Sequence, residues 1–338
     1  MSVVIEIDEH SPKPIYVQIQ DCIIHAVRDE LIGSNAQLPS INEVAEMTNV
    51  ARKTVEKSYN ELKRKNILVS VPGKGFFVSE DNDLDRKKVM LMFDIMNSQN
   101  NLIHRAFMQT INDHTLIDFL VYHKDPDTFI DYLIHAPDEY SHYVIMGHFS
   151  EHEQNAIRLI NRLPKHKLVV IDRDLAGIQG AYSSIIQNFE DILYHALKDL
   201  SGTLTKYNQI NVVFPEFTYY PKTTLDGISK FAEEFQLEFN VIENIKTYVP
   251  KSGSVFLALT ENELAATVLN IQQHDFVIAQ DIGIISYTDH PLNEILIGGI
   301  TAILPNFNHM GQLAAEVVIN GKQINTNIEY TIIERKSL

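Results

Sequence analysis

The 338-residue chain has a single cysteine, and it is short of positive charge, with 28 Lys and Arg against 44 Asp and Glu. Nowhere does it run through 18 consecutive apolar residues. Each shortage excludes something. Cys22 cannot form an internal disulfide, and among its apolar neighbours it reads as a small buried hydrophobe in a reducing compartment. Without a long apolar run there is no membrane-spanning helix and no expected membrane partner. The opening "MSVVIEIDEHSPKPIY" lacks the basic-then-apolar order of a secretory leader, so the expected location is cytoplasmic. A net charge of −16 excludes polyanion binding over the whole surface but permits it at a local patch. What remains is an ordinary globular composition, 45% hydrophobic and 21% charged, at a length that suits two or three domains.

The charge is unevenly spread. Residues 1–80 balance at −2, leaving −14 for the rest. Within 52–74 the sign reverses. Arg52, Lys53, Lys57, Lys63, Arg64, Lys65 and Lys74 face only Glu56 and Glu61. A solvated helix face is the ordinary explanation for such a run, so the surrounding pattern has to decide.

That pattern is a set of short helices. "PIYVQIQDCIIHAVRDELI" puts Ile15, Ile19, Ile23, Ala26 and Leu31 near one helical stripe. Ser40 with Glu43 three residues on forms a capping box, opening a helix that offers Val44, Ala45 and Met47 to a core. Asn49 suits the left-handed conformation of a tight turn. The next helix should bury Val55, Tyr59 and Leu62 and expose Arg52, Lys53, Glu56 and Lys57. Two short helices joined this way make a helix-turn-helix. "LVSVPGKGFFVS" (68–79) then reads as two strands around a basic hairpin tip, Pro72-Gly73-Lys74-Gly75. The tip lacks the spacing and the Lys-Ser/Thr of a nucleotide phosphate loop, so a wing against a DNA backbone fits better.

"PIYVQI", "LPS", "VARKTV" and "PGKGFFV", in this order and spacing, resemble the winged helix-turn-helix of GntR-type bacterial transcription regulators over residues 10–80. The resemblance implies operator contacts from Ser40 and Asn42 at the second helix, from Arg52, Lys53, Thr54 and Lys57 on the recognition helix, and from Gly73 and Lys74 in the wing. This chain departs from the pattern at Asn42 and Glu56, where arginines are usual, and at Ala51, where a serine is. A pseudo-palindromic operator and a homodimer follow from two-fold symmetry. Residues 80–87, polar and without periodicity, read as a linker after a head spanning 1–79.

From 88 to 338 strand and helix patterns alternate. The apolar runs "VMLMF", "LVVI", "INVVF", "VFLAL", "IISY" and "ITAIL" lie between helical stretches such as "FEDILYHALKDL" and "NELAATVLNIQQ". The expected fold is α/β, with parallel sheets in two subdomains. Enzyme signatures are missing: no G-x-G-x-x-G after the first strand, no G-x-S-x-G elbow, no H-E-x-x-H. His148 and His152 stand four apart, but no third metal ligand is evident, and no cofactor is expected. Asp172, Arg173 and Asp174 are either a catalytic group or a strand-end binding group, and strand carboxyl ends favour binding.

"KLVVIDRDL", "DIGIISYTDHP" and "ITAILPNFNHMGQLAAEVVI" resemble the effector domains of LacI/GalR-type repressors, which are periplasmic-binding-protein-like. GntR heads on such domains occur in arabinose- and fucose-responsive sugar regulators. The resemblance implies a winged helix-turn-helix joined to a two-subdomain effector domain that takes a small sugar or sugar derivative. Its candidate contacts are Asp94, His148, Asp172, Arg173, Asp191, Glu261, Asn262, Thr288 and Asp289. Asp191 stands where many relatives have a sugar-binding arginine. The expected protein is therefore a DNA-binding regulator of sugar-utilisation genes, a repressor released by its effector, and not an enzyme. A sugar-processing α/β enzyme with a fused DNA-binding head is the competing reading, and an empty cleft signalling through a protein partner is a third.

Overall fold

The computed structural model describes residues 5–338 apart from 9–10, 29–30, 81–86, 113–114, 136–139, 150–152, 217 and 219. The chain divides into two compact units, Met1–Lys87 with Asp113–Leu116, and Lys88–Asn112 with Ile117–Leu338. Most of the expected linker over 80–87 lies outside the described residues.

The first unit packs α1 (Ile15–Arg28), α2 (Ile41–Thr48) and α3 (Arg52–Arg64) beside a hairpin of β1 (Leu68–Val71) and β2 (Gly75–Val78). Ser40 and Glu43 close the capping box from both sides, with Ser40 N–H donating to Glu43 at 2.7 Å and Glu43 N–H to Ser40 Oγ at 3.2 Å. Asn49 ends α2 in the left-handed region, at φ 53°. Val55, Tyr59 and Leu62 are fully buried. Tyr59 joins three elements: its hydroxyl donates to Pro39 O at 2.8 Å, and its ring meets Phe76 of the hairpin edge-on at 4.9 Å.

The helical stripe holds only in part. Ile19, Ile23 and Ala26 are core, whereas Ile15 and Leu31 lie at the surface. Position 31 lies in a bend beyond α1, where the helical period does not apply, and Ile32 takes the buried place. Met47 is 58% exposed, because a helix of eight residues buries one narrow stripe, here Val44. Cys22 is half-buried rather than core, with its thiol 3.6 Å from Glu6 O.

The second unit holds two six-stranded sheets. The first is ordered β13-β7-β6-β5-β3-β4. It uses β3 (Lys87–Phe93), β4 (Thr115–Val121), β5 (His142–Met146), β6 (Leu168–Asp172), β7 (Ser183–Ile186) and β13 (Asn325–Asn327). The second is ordered β14-β12-β11-β10-β8-β9. Its strands are β8 (Gln209–Val213), β9 (Glu238–Ile242), β10 (Ser254–Ala258), β11 (Ile282–Tyr287), β12 (Thr301–Pro305) and β14 (Tyr330–Ile333). It is parallel except for β14, which runs against β12.

Helices cover the sheets, as crossovers between parallel strands require. α4 (Ser98–Thr110), α5 (Pro126–Ile134) and α6 (Glu153–Ile160) belong to the first sheet. α7 (Phe189–Asp199), the short α8 (Ser201–Leu204), α9 (Thr223–Glu234), α10 (Glu261–Gln273) and α11 (Pro291–Ile295) belong to the second. α12 (Phe307–Asn320) returns to the first sheet and packs on α4. A Cβ at Gly311 would stand 2.2 Å from Ile103 O, so only glycine lets α12 approach α4 this closely. The chain passes between the subdomains three times, after β7, after β12 and after β13.

Candidate functional sites

In the first unit, the α2–α3 turn and the core side of α3 fix which residues of α3 face outward. With Val55, Ser58, Tyr59 and Leu62 buried, Arg52, Lys53, Glu56 and Lys57 are exposed and Thr54 is half-buried. Lys57 Nζ sits 3.7 Å from the centroid of the Tyr16 ring on α1, so part of its charge is engaged by a cation–π contact. Ser40 commits its hydroxyl to the cap, and Asn42 is exposed one residue inside α2. At the hairpin tip Gly73 has φ +73°, which a side chain would strain. Lys74 is exposed, and Gln37 Nε2 braces its carbonyl at 2.7 Å. The surface is a basic helix start beside a basic wing.

In the second unit, buried polar groups collect at the carboxyl ends of the strands. Asp94 follows β3, His148 follows β5, Asp172 ends β6, Tyr287 ends β11 and Thr288 follows it. Asp94 is fully buried. It accepts from Asn100 Nδ2 at 3.0 Å and from His148 Nδ1 at 2.9 Å, which fixes the proton on Nδ1. Burial pushes the His148 pKa down, and Asp94 offsets this only in part. Asp172 is 2% exposed and has φ +75°. Burial pushes its pKa up to about 7, with Asp94 adding to the rise and Gln187 opposing it.

Gln187 links the subdomains. Its Nε2 donates to Asp172 at 2.5 Å and its Oε1 accepts from Tyr287 OH at 2.8 Å. A second bridge runs from Gln99 Nε2 on α4 to Thr288 Oγ1 at 3.1 Å. Tyr122, whose one hydroxyl hydrogen is shared between the carbonyls of Met146 and His148 at 2.6 and 2.8 Å, and the trio Phe189, Tyr220 and Tyr287 add buried aromatic rings. Carboxylates, an imidazole, an amide and aromatic faces of this kind suit a small polyhydroxyl molecule.

The structure unites Asp94, His148 and Asp172, with Thr288 across from them, while Arg173 is half-buried beside Asp172. It separates the others. The Asp289 carboxylate is held by Arg335 through two bonds of 2.8 Å. Each oxygen of this expected ligand contact thereby spends one lone pair on the guanidinium and keeps another. Asp191 is exposed in the first turn of α7, bonded to Asn188, and lines a separate cavity of about 460 Å³ with His195, Glu329 and Tyr330. Glu261 and Asn262 are exposed at the start of α10, and the next acid, Glu263, is instead half-buried against Thr260, with burial raising its pKa.

His152 falls outside the described residues, and no group of three metal-ligating side chains is assembled among those described. Sequence reading missed Asn100, Gln187, Gln99 and Tyr287. Only Tyr287 left a signal, as a polar-tipped aromatic closing an apolar strand.

Residues 15–78 match the family model "Bacterial regulatory proteins, gntR family". The head is of the GntR type. Its sequence is 39% identical over 75 residues to the uncharacterized HTH-type transcriptional regulator YhcF of Bacillus subtilis, a match covering 22% of this chain and 61% of that protein. The chain thus spans about three-fifths of the length of that curated relative.

The second unit has the fold of LacI-type regulators. The trehalose repressor of Escherichia coli superposes with TM-score 0.60 at 15% identity, over 73% of this chain and 100% of that one. A LacI family transcriptional regulator from Lactobacillus casei with bound glucose superposes with TM-score 0.58 at 13% identity, over 75% and 100%. Among the described residues, no helix is long and apolar enough to cross a membrane.

Proposed function

We propose that the protein is a one-component transcription regulator. Its GntR-type head binds operator DNA, and its second unit binds a small sugar or sugar derivative between the subdomains. The observation that carries this reading is the basic outward start of α3 together with the Lys74 wing, in a head matched over residues 15–78 by a regulator family. An α-helix fits the major groove, where an arginine can take a guanine edge, while lysines hold phosphates and fix register.

The protein acts in the cytoplasm as a homodimer on a pseudo-palindromic site, without turnover of its ligand. Effector hydroxyls pair with Asp172, Asp94 and His148, and the two subdomain bridges make closure sensitive to what lies between them. Closure and DNA binding are then linked by one coupling free energy, typically ~1–3 kcal/mol. The test pairs melting shifts over a monosaccharide panel with operator titration in the presence of each hit. A sugar that raises the melting temperature and lowers operator affinity supports the reading. Conversion of that sugar to a product would replace it with the enzyme reading, and sedimentation as a monomer with and without DNA would remove the dimer.

A further inference from the structure

The acidic residue on the outward face of α3 calls for a physical account. Glu56 is exposed one helical turn after Arg52, among Lys53 and Lys57, in a segment with seven cations and two acids. The other acid on this helix, Glu61, is paired with Arg64 at 2.6 Å. Glu56 forms no ion pair among the described residues, although Arg52 at i−4 and Lys53 at i−3 stand where a pair forms on a helix. An uncompensated carboxylate facing phosphates weakens DNA binding unless a hydrogen-bond donor in the groove meets it.

We propose that Glu56 is a base-reading residue that selects cytosine through its exocyclic amine. This rests on the DNA-binding reading above. Guanine and thymine present only hydrogen-bond acceptors to a carboxylate in the major groove, and adenine sets its N7 acceptor beside its amine. Cytosine alone offers a donor with no adjacent acceptor. Four residues of helix advance about 6 Å, under two base-pair steps of ~3.4 Å, so the cytosine lies within two base pairs of the one read by Arg52.

The test is selection from a randomised duplex library with the full-length protein, as wild type, Glu56→Ala and Arg52→Ala. The wild-type operator is then titrated with each base at the assigned position. Wild type should prefer cytosine there, and Glu56→Ala should lose that preference by about 5- to 100-fold. Glu56→Ala should also bind an unrelated duplex more tightly, as no merely structural role would predict. Arg52→Ala should relax a different, neighbouring position. If wild type selects an operator and Glu56→Ala selects the same bases at every position, Glu56 does not read a base. If wild type selects no sequence at all, the DNA-binding reading itself fails, and this assignment with it.

Discussion

The two candidate sites are built in opposite ways. The head presents its candidate groups outward, on a scaffold whose core joins three helices to the hairpin. The second unit draws its groups inward, so that Asp94 and Asp172 are both essentially inaccessible. The difference fits the partners proposed for each unit. A phosphate backbone is met at a surface and held by charges that stay hydrated until contact. A small polyol must be enclosed, and enclosure demands that each carboxylate already have partners, because an unpaired buried charge is too costly. Asn100, His148 and Gln187 meet that demand.

The largest expected effect tests the inward design. A carboxyl whose folded pKa is raised from 3.8 to about 7 binds its proton more tightly in the folded state. Its contribution to stability is full below the ordinary carboxylate range and is lost as pH rises to about 7, a change on the order of a few kcal/mol. Thermal melts at pH 5 and pH 8 should therefore show wild type losing more stability than Asp172→Asn. An equal or smaller loss would mean Asp172 is not held in a protonating environment.

Next, at pH 8, where Asp172 is ionised, Asp172→Ala should weaken effector binding by about 10- to 100-fold, through loss of a charge-assisted bond. Effector-free operator binding should not change. Calorimetry of the ligand alongside operator titration reads both quantities, and unaltered ligand affinity would return Asp172 to a purely structural role.

On the outward surface, Arg52→Ala should cost about 1–3 kcal/mol at the operator and leave effector binding intact. A matching loss in both assays would break the contrast between the sites. The smallest effect belongs to Lys74→Ala. It should weaken specific and unrelated duplexes alike and reduce the slope of affinity against salt by about one unit. Loss confined to one sequence would instead make the wing a base reader.

Legibility in the sequence differed between the regions for the same reason. In the head, Ser40 and Glu43 are three residues apart, Asn49 sits in one turn, and Val55, Tyr59 and Leu62 repeat at helical spacing. Each of these signals is local. Leu31 was misplaced because it lies beyond α1, and Met47 because a helix of eight residues buries only one narrow stripe. In the second unit the strand-end positions of Asp94, His148 and Asp172 were readable, but their partners were not. Gln187 lies in no pattern, Gln99 is one polar residue among several on α4, and nothing near Asp289 announces Arg335, 46 residues away.

The sequence by itself determined the periodic helices, the capped turn, the glycine-tipped wing and the strand–helix alternation, because these depend on interactions within a few residues. Only the tertiary structure decided which carboxylates face each other and which are given to an arginine. Tyr287 reaches Gln187 across 100 residues and Thr288 reaches Gln99 across 189. Such pairs are set by how two sheets and three crossings between the subdomains pack, and packing leaves no mark at short range.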